Sequence, residues 1–184
     1  MTIQENITAH IETAERLRHL EKEISAACAL CLAVIGRGGK ILLAGNGGSA
    51  ADAQHIAAEF VGRFVRERRS LPAIALSTDT SAMTAISNDY GFDAVFARQI
   101  EGLGNEGDVF IGISTSGNSR NIIQAVESAR QKGVKIIIFS GRNGGILRGS
   151  ADVEIIVPSE VTARIQEMHI LVGHIICEFV DDNV

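Results

Sequence analysis

The sequence predicts an α/β fold: a doubly wound, five-stranded parallel sheet flanked by helices, with an amino-terminal helical extension. Three observations carry that reading. Five short apolar runs, at 41–44, 73–76, 109–113, 136–139 and 153–157, recur beyond Lys40. Such runs are what strands buried on both faces show, and longer helical segments between them supply the crossovers. Glycine and serine gather just after the runs, where open parallel sheets bind their ligands.

The elements follow in order. Residues 1–36 form the helical extension, because Ile7, Ile11, Ala14, Leu17, Leu20, Ile24 and Cys28 recur at helical steps. One long helix and two shorter ones satisfy that pattern equally. The extension is too small to be its own domain and is expected to pack on the sheet or on a neighbouring subunit. Residues 37–184 form the α/β core, and the 184 residues make a single domain.

The first strand ends in Gly45-Asn46-Gly47-Gly48-Ser49, and an alanine-rich, proline-free helix follows. Unpaired backbone N–H groups and the helix dipole make such a start suitable for phosphate. A glycine-rich turn that only relieves backbone strain is an equal reading of this loop by itself. His55 and Glu59, spaced i and i+4, share one face of the helix, and Asp52 lies on the same side. The third strand ends in Ser114-Thr115-Ser116-Gly117-Asn118-Ser119, ahead of a helix beginning near Arg120. Four hydroxyls in six residues exceed what helix capping needs and suit phosphate oxygens. The last helix carries Gln166, His169 and His174 among apolar neighbours, which predicts a partly buried His174.

Composition excludes several classes. The formal net charge is −5, so the chain carries no electrostatic footprint for nucleic acid. The cluster Arg66-Glu67-Arg68-Arg69 reads as a solvated surface loop. No apolar run approaches the length needed to span a membrane, and residues 1–6 lack the features of a secretory signal. A cytoplasmic location is therefore expected. The three cysteines, Cys28, Cys31 and Cys177, lie in apolar surroundings and read as buried structural thiols.

Five motifs in order carry a resemblance that spans essentially the whole chain. They are Gly45-Asn46-Gly47-Gly48-Ser49, His55-x-x-x-Glu59, Asn88-Asp89-Tyr90-Gly91, the hydroxyl loop, and Arg164-Ile165-Gln166-Glu167 with His174. Together they resemble the sedoheptulose 7-phosphate isomerases (phosphoheptose isomerases) of the sugar isomerase (SIS) fold family. The resemblance implies an aldose–ketose isomerase that makes glycero-manno-heptose 7-phosphate, the first step toward activated bacterial heptose. It also implies a homotetramer with active sites between subunits and one zinc ion per subunit. His55, Glu59, Gln166 and His174 match the metal ligands of the zinc-containing members. Asn46, Gly47, Gly48, Asn88, Asp89, Ser114, Thr115, Ser116 and Ser119 match substrate contacts, with Glu59 and Gln166 at the same site.

The chemistry asks for such groups. Moving a hydrogen between adjacent carbons needs a base that removes a proton α to a carbonyl, and donors that stabilise the enediolate. Glu59 is the expected base and His174 the expected acid. Two tensions follow. A histidine nitrogen bound to metal cannot also donate a proton. Gln166 and His174 stand eight residues apart, roughly 12 Å along a helix, so ligands from more than one chain are expected. Proteins that bind the bacterial replication initiator resemble this chain and share the motif Arg-Ile-Gln-Glu-Met-His. Those with this role lack the counterparts of Glu59 and His174, whose presence here favours an enzyme. A sugar-phosphate-sensing domain would need the phosphate loops but not His55, Glu59 and His174.

Overall fold

The computed structural model describes residues 2–184. Helix α1 (Ile3–Leu17) begins with a capping box in which Thr2 and Glu5 satisfy each other's backbone donors. A 3-10 turn over Arg18–Leu20 separates it from α2 (Glu21–Gly36), so the extension is two helices. There follow β1 (Ile41–Gly45), α3 (Gly48–Val61), β2 (Ala73–Ala75), α4 (Thr80–Tyr90), α5 (Val95–Leu103) and β3 (Val109–Ser114). The chain ends with α6 (Arg120–Gln131), β4 (Lys135–Gly141), β5 (Val153–Val157) and α7 (Thr162–Asn183).

The strands form one parallel sheet in the order β2-β1-β3-β4-β5. The chain winds outward in both directions from β1 and β3, so their carboxyl ends flank the topological switch point. Side chains alternate between two cores, as the period of a strand demands. Ile41, Leu43, Val109, Ile111, Ile137 and Phe139 enter a core shared with α2, α3 and α7. Leu42, Ala44, Phe110, Ile136 and Ile138 enter the opposite core with α5 and α6. Both faces are therefore covered, which explains why the strands read as unbroken apolar runs.

Two residue groups qualify the sequence reading. Ile7 and Ile11 keep their helical spacing, but α1 packs on α7 and leaves them about half exposed, at 49% and 54%. In the loop at 66–69, Arg66, Glu67 and Arg69 are exposed as expected, and Arg68 departs from that reading. The Arg68 side chain is only 8% exposed and pairs with Asp181 of α7 at 2.7 Å. Cys28, Cys31 and Cys177 are free and buried, and burial pushes the Cys28 thiol up to about 11 and Cys177 to about 12. They behave as packing groups.

Candidate active site

Helices α3 and α7 lie side by side on one face of the sheet, running in the same direction. Gly173 makes the approach possible, because a Cβ there would stand 2.5 Å from Ile56 Cδ1. The next residue, His174, is thereby brought against His55, with the two Nε2 atoms 2.9 Å apart. His55 Nε2 also lies 3.3 Å from Glu59 Oε1. The Phe64 ring tilts against His174 at 5.7 Å between centroids. The side chains of His55 and Glu59 remain 50% and 24% exposed, so this cluster opens to one side.

The amino-terminal ends of the same two helices meet at Gln166 and Gly48. A Cβ on Gly48 would stand 2.5 Å from Gln166 Nε2, so glycine makes room for the amide. Arg164 and Glu167, flanking Gln166, tie α7 to α1: Arg164 donates to the Asn6 carbonyl at 2.7 Å, and Glu167 meets His10 Nδ1 at 2.7 Å. Asn46 and Asn121 exchange side-chain amide hydrogen bonds of 2.9 and 2.8 Å. That pair couples the first loop to the start of α6. Ser114 and Ser119 hydroxyls share a 2.9 Å hydrogen bond, and the Ser116 hydroxyl accepts from Asn118 N. Gly117, at φ +67°, packs so closely on the Gly144 carbonyl that no Cβ fits. The hydroxyl loop is thus closed by its own serines and braced by the loop after β4.

Not every expected residue meets the others within one chain. His55, Glu59 and His174 converge, while Gln166 stands at the other end of the helix pair beside Gly48 and the two phosphate-type loops. Asn88 and Asp89 end α4, are exposed, and bond to each other rather than to another site residue. His169 is fully buried with Nε2 3.0 Å from the Ser140 carbonyl, a packing role. Burial lowers it to about 4, against the opposing effect of the Ser140 bond. Asn121, Arg68 and Asp181 belong to the surroundings of the site and were missed by motif reading. Asn121 stands two residues beyond the hydroxyl loop, which was the available signal. Asp52, one turn before His55, has a buried Oδ2 without a hydrogen-bond partner, and burial pushes its carboxyl up to about 6 against the attraction of His55.

A cavity of about 640 Å³ lies at the opposite, amino-terminal edge of the sheet, lined by Arg37, Lys40, Asp108 and Lys135. Two of its charges are paired: Lys40 with Asp108 and Lys135 with Asp152.

Among the described residues no three His, Cys, Asp or Glu side chains are grouped so as to hold a metal ion by themselves. The donor types that meet at His55 are nevertheless those zinc takes. Two imidazole nitrogens and one carboxylate oxygen converge, the borderline-soft set that zinc takes. Donors on a tetrahedral zinc stand about 3.3 Å from each other. The two separations seen from His55 Nε2 are 2.9 Å to His174 Nε2 and 3.3 Å to Glu59 Oε1.

Comparison with known proteins places the chain. The SIS domain family matches residues 5–141, and the chain is a SIS-domain protein. It is 55% identical over 182 residues to the phosphoheptose isomerase of Nitratiruptor sp., covering 98% of this chain and 97% of that one. The phosphoheptose isomerase of Geobacter sulfurreducens is 53% identical, with 98% of each chain covered. The phosphoheptose isomerase structure from Neisseria gonorrhoeae superposes with a TM-score of 0.89 at 47% identity, covering 98% of this chain and 100% of that one. The chain belongs to the phosphoheptose isomerase family.

Proposed function

We propose that this protein is an aldose–ketose isomerase converting D-sedoheptulose 7-phosphate to D-glycero-D-manno-heptose 7-phosphate by enediol proton transfer, the first step of bacterial heptose activation. The observation that carries it is the meeting of Glu59 and His174 at His55, in a chain whose relatives are phosphoheptose isomerases. The scaffold reading is not favoured, since the relatives are phosphoheptose isomerases and both expected catalytic residues are present, each in contact with His55.

Glu59 takes the proton from the carbon beside the carbonyl and returns it to the neighbouring carbon. His174 holds or gives a proton at the sugar oxygens. Its Nε2 is the nitrogen turned toward His55, so it serves as acid only while that nitrogen carries no metal. Ser114, Thr115, Ser116 and Ser119 anchor the phosphate with the N–H groups at the start of α6. Binding so far from the reacting carbons orients them. Asn46, Gly47 and Gly48 line the sugar between the two loops, and Asn88 and Asp89 complete the contacts. His55, Glu59 and His174 would hold one zinc ion per subunit, with Gln166 supplied by a second subunit. When bound, zinc supplies Lewis-acid polarisation of the carbonyl.

A homotetramer with sites between subunits fits this arrangement. An enediolate survives best away from water, yet His55 is half exposed in the single chain. Ile3, Ile7 and Ile11 form an exposed apolar stripe along α1. Nearby, Ala14, Leu17, Ile24, Leu171 and Ile175 line an apolar groove of about 670 Å³. Light scattering on the purified protein tests the assembly, and a monomeric mass would overturn it. Among the described residues no helix is long and apolar enough to cross a membrane, and we place the enzyme in the cytoplasm. Incubation with sedoheptulose 7-phosphate tests the activity; absence of turnover with and without added zinc would favour the scaffold reading.

A further inference from the structure

We infer that the buried Arg68–Asp181 ion pair is a positioning device for catalysis, fixing the helix end that carries Glu59 and the segment that lays Phe64 against His174. The inference rests on the isomerase reading above.

The last carbonyls of a helix have no partner within it. At the end of α3 a single guanidinium supplies donors. Arg68 Nη2 donates to the Glu59 carbonyl at 2.9 Å, and Nη1 donates to the carbonyls of Phe60 at 2.9 Å and Arg69 at 3.0 Å. The positive charge also sits at the negative end of the helix dipole. Arg68 Nε donates to Asp181 Oδ1 at 2.7 Å, and Asp181 Oδ2 accepts from the backbone N–H groups of Val65 at 3.1 Å and Arg66 at 2.7 Å. The same carboxylate therefore pins the segment immediately after Phe64. Asp181 stands seven residues beyond His174, on the same face of α7 to within about 20°. One ion pair thus joins the backbone of the expected base, the ring packed on the expected acid, and the helix bearing that acid.

Stability alone does not account for the pair. Its side chains are 8% and 2% exposed. At such burial the desolvation penalty offsets much of the attraction, so the charge pairing by itself is weak evidence for a gain in stability. A well-defined geometry is what the pair offers in addition. Arginine is required for it, because lysine presents one compact charge and cannot reach several carbonyls and a carboxylate in a plane.

The test compares Arg68→Lys and Asp181→Asn with Asp182→Asn, which removes only the exposed partner of Arg66 at 3.0 Å. Turnover of sedoheptulose 7-phosphate by the unmodified protein tests the isomerase reading separately. In the two core variants we expect kcat to fall about tenfold or more, since small misplacements of reacting groups cost that much. KM should move less than about threefold, because the hydroxyl loop is untouched. The isotope effect on kcat with substrate deuterated at C1 should rise as proton abstraction becomes slower. Ring signals of 13C-labelled His174 should shift in both core variants and stay in place in Asp182→Asn, whether or not the protein turns over this sugar. Folded variants with unchanged kcat, isotope effect and ring signals overturn the inference. Loss of the folded state in both core variants also overturns it, since the pair then serves the fold and not the site.

Discussion

His55 and His174 meet Nε2 to Nε2 at 2.9 Å although 119 residues separate them. At that distance one nitrogen bears a proton and the other accepts it, or an ion replaces the proton. Glu59 Oε1, 3.3 Å from the same His55 nitrogen, makes the third corner. The residues proposed as base, metal ligand and proton carrier are therefore joined through one imidazole.

Glu59→Gln keeps the shape of the side chain and removes its basicity. We expect kcat to fall about 10²- to 10⁴-fold, the usual range for loss of a positioned base. His174→Ala should lower kcat as well, with circular dichroism unchanged in both variants. Turnover that survives in both would sink the proposed mechanism.

Removal of metal is predicted to act through the same corner. Dialysis against a chelator should lower turnover, and zinc should restore it. His55→Ala removes the nitrogen shared by both contacts and should weaken zinc binding about tenfold or more, read by competition with a chromophoric chelator. An unchanged zinc affinity in His55→Ala would remove this residue from the ligand set.

The sheet was legible because its strands are buried on both faces, and each of the five apolar runs is a strand whose ends differ from the run by two residues at most. Local motifs also survived, since the i, i+4 spacing of His55 and Glu59 needs only one helix. Less accessible was what depends on partners distant in sequence. Arg68 looks like any charge in a basic run until Asp181 is placed 113 residues away. Asn121 is an unremarkable polar residue until Asn46 faces it. The exposure of Ile7 and Ile11 follows from how α1 lies on α7, which helical periodicity does not encode.

Gly117→Ala tests the hydroxyl loop. The backbone there is left-handed at φ +67°, and an added Cβ would collide with the Gly144 carbonyl, a backbone atom that cannot swing aside. The loop must open, which displaces Ser116 and Asn118. We expect KM for the sugar phosphate to rise about tenfold or more, with kcat less affected, and stability to fall by about 1–3 kcal/mol. Steady-state kinetics and urea unfolding read the two effects, and a variant with wild-type KM would remove this loop as the phosphate anchor.

His169 predicts how stability depends on pH. Burial, outweighing the bond to the Ser140 carbonyl, lowers its folded pKa to about 4 from an ordinary 6.5. Between those values the unfolded chain binds a proton that the folded chain refuses. The contribution of a neutral His169 is thus fully present above pH 6.5 and is lost as pH falls toward 4. At 1.36 kcal/mol per unit the loss amounts to about 3 kcal/mol. His169→Gln has no such titration and keeps a donor for the Ser140 carbonyl. Its urea midpoint should therefore decline less steeply than that of the unmodified protein between pH 7 and 4.5, in steps of about half a unit. Parallel declines in the two proteins would show that other groups govern the acid limb.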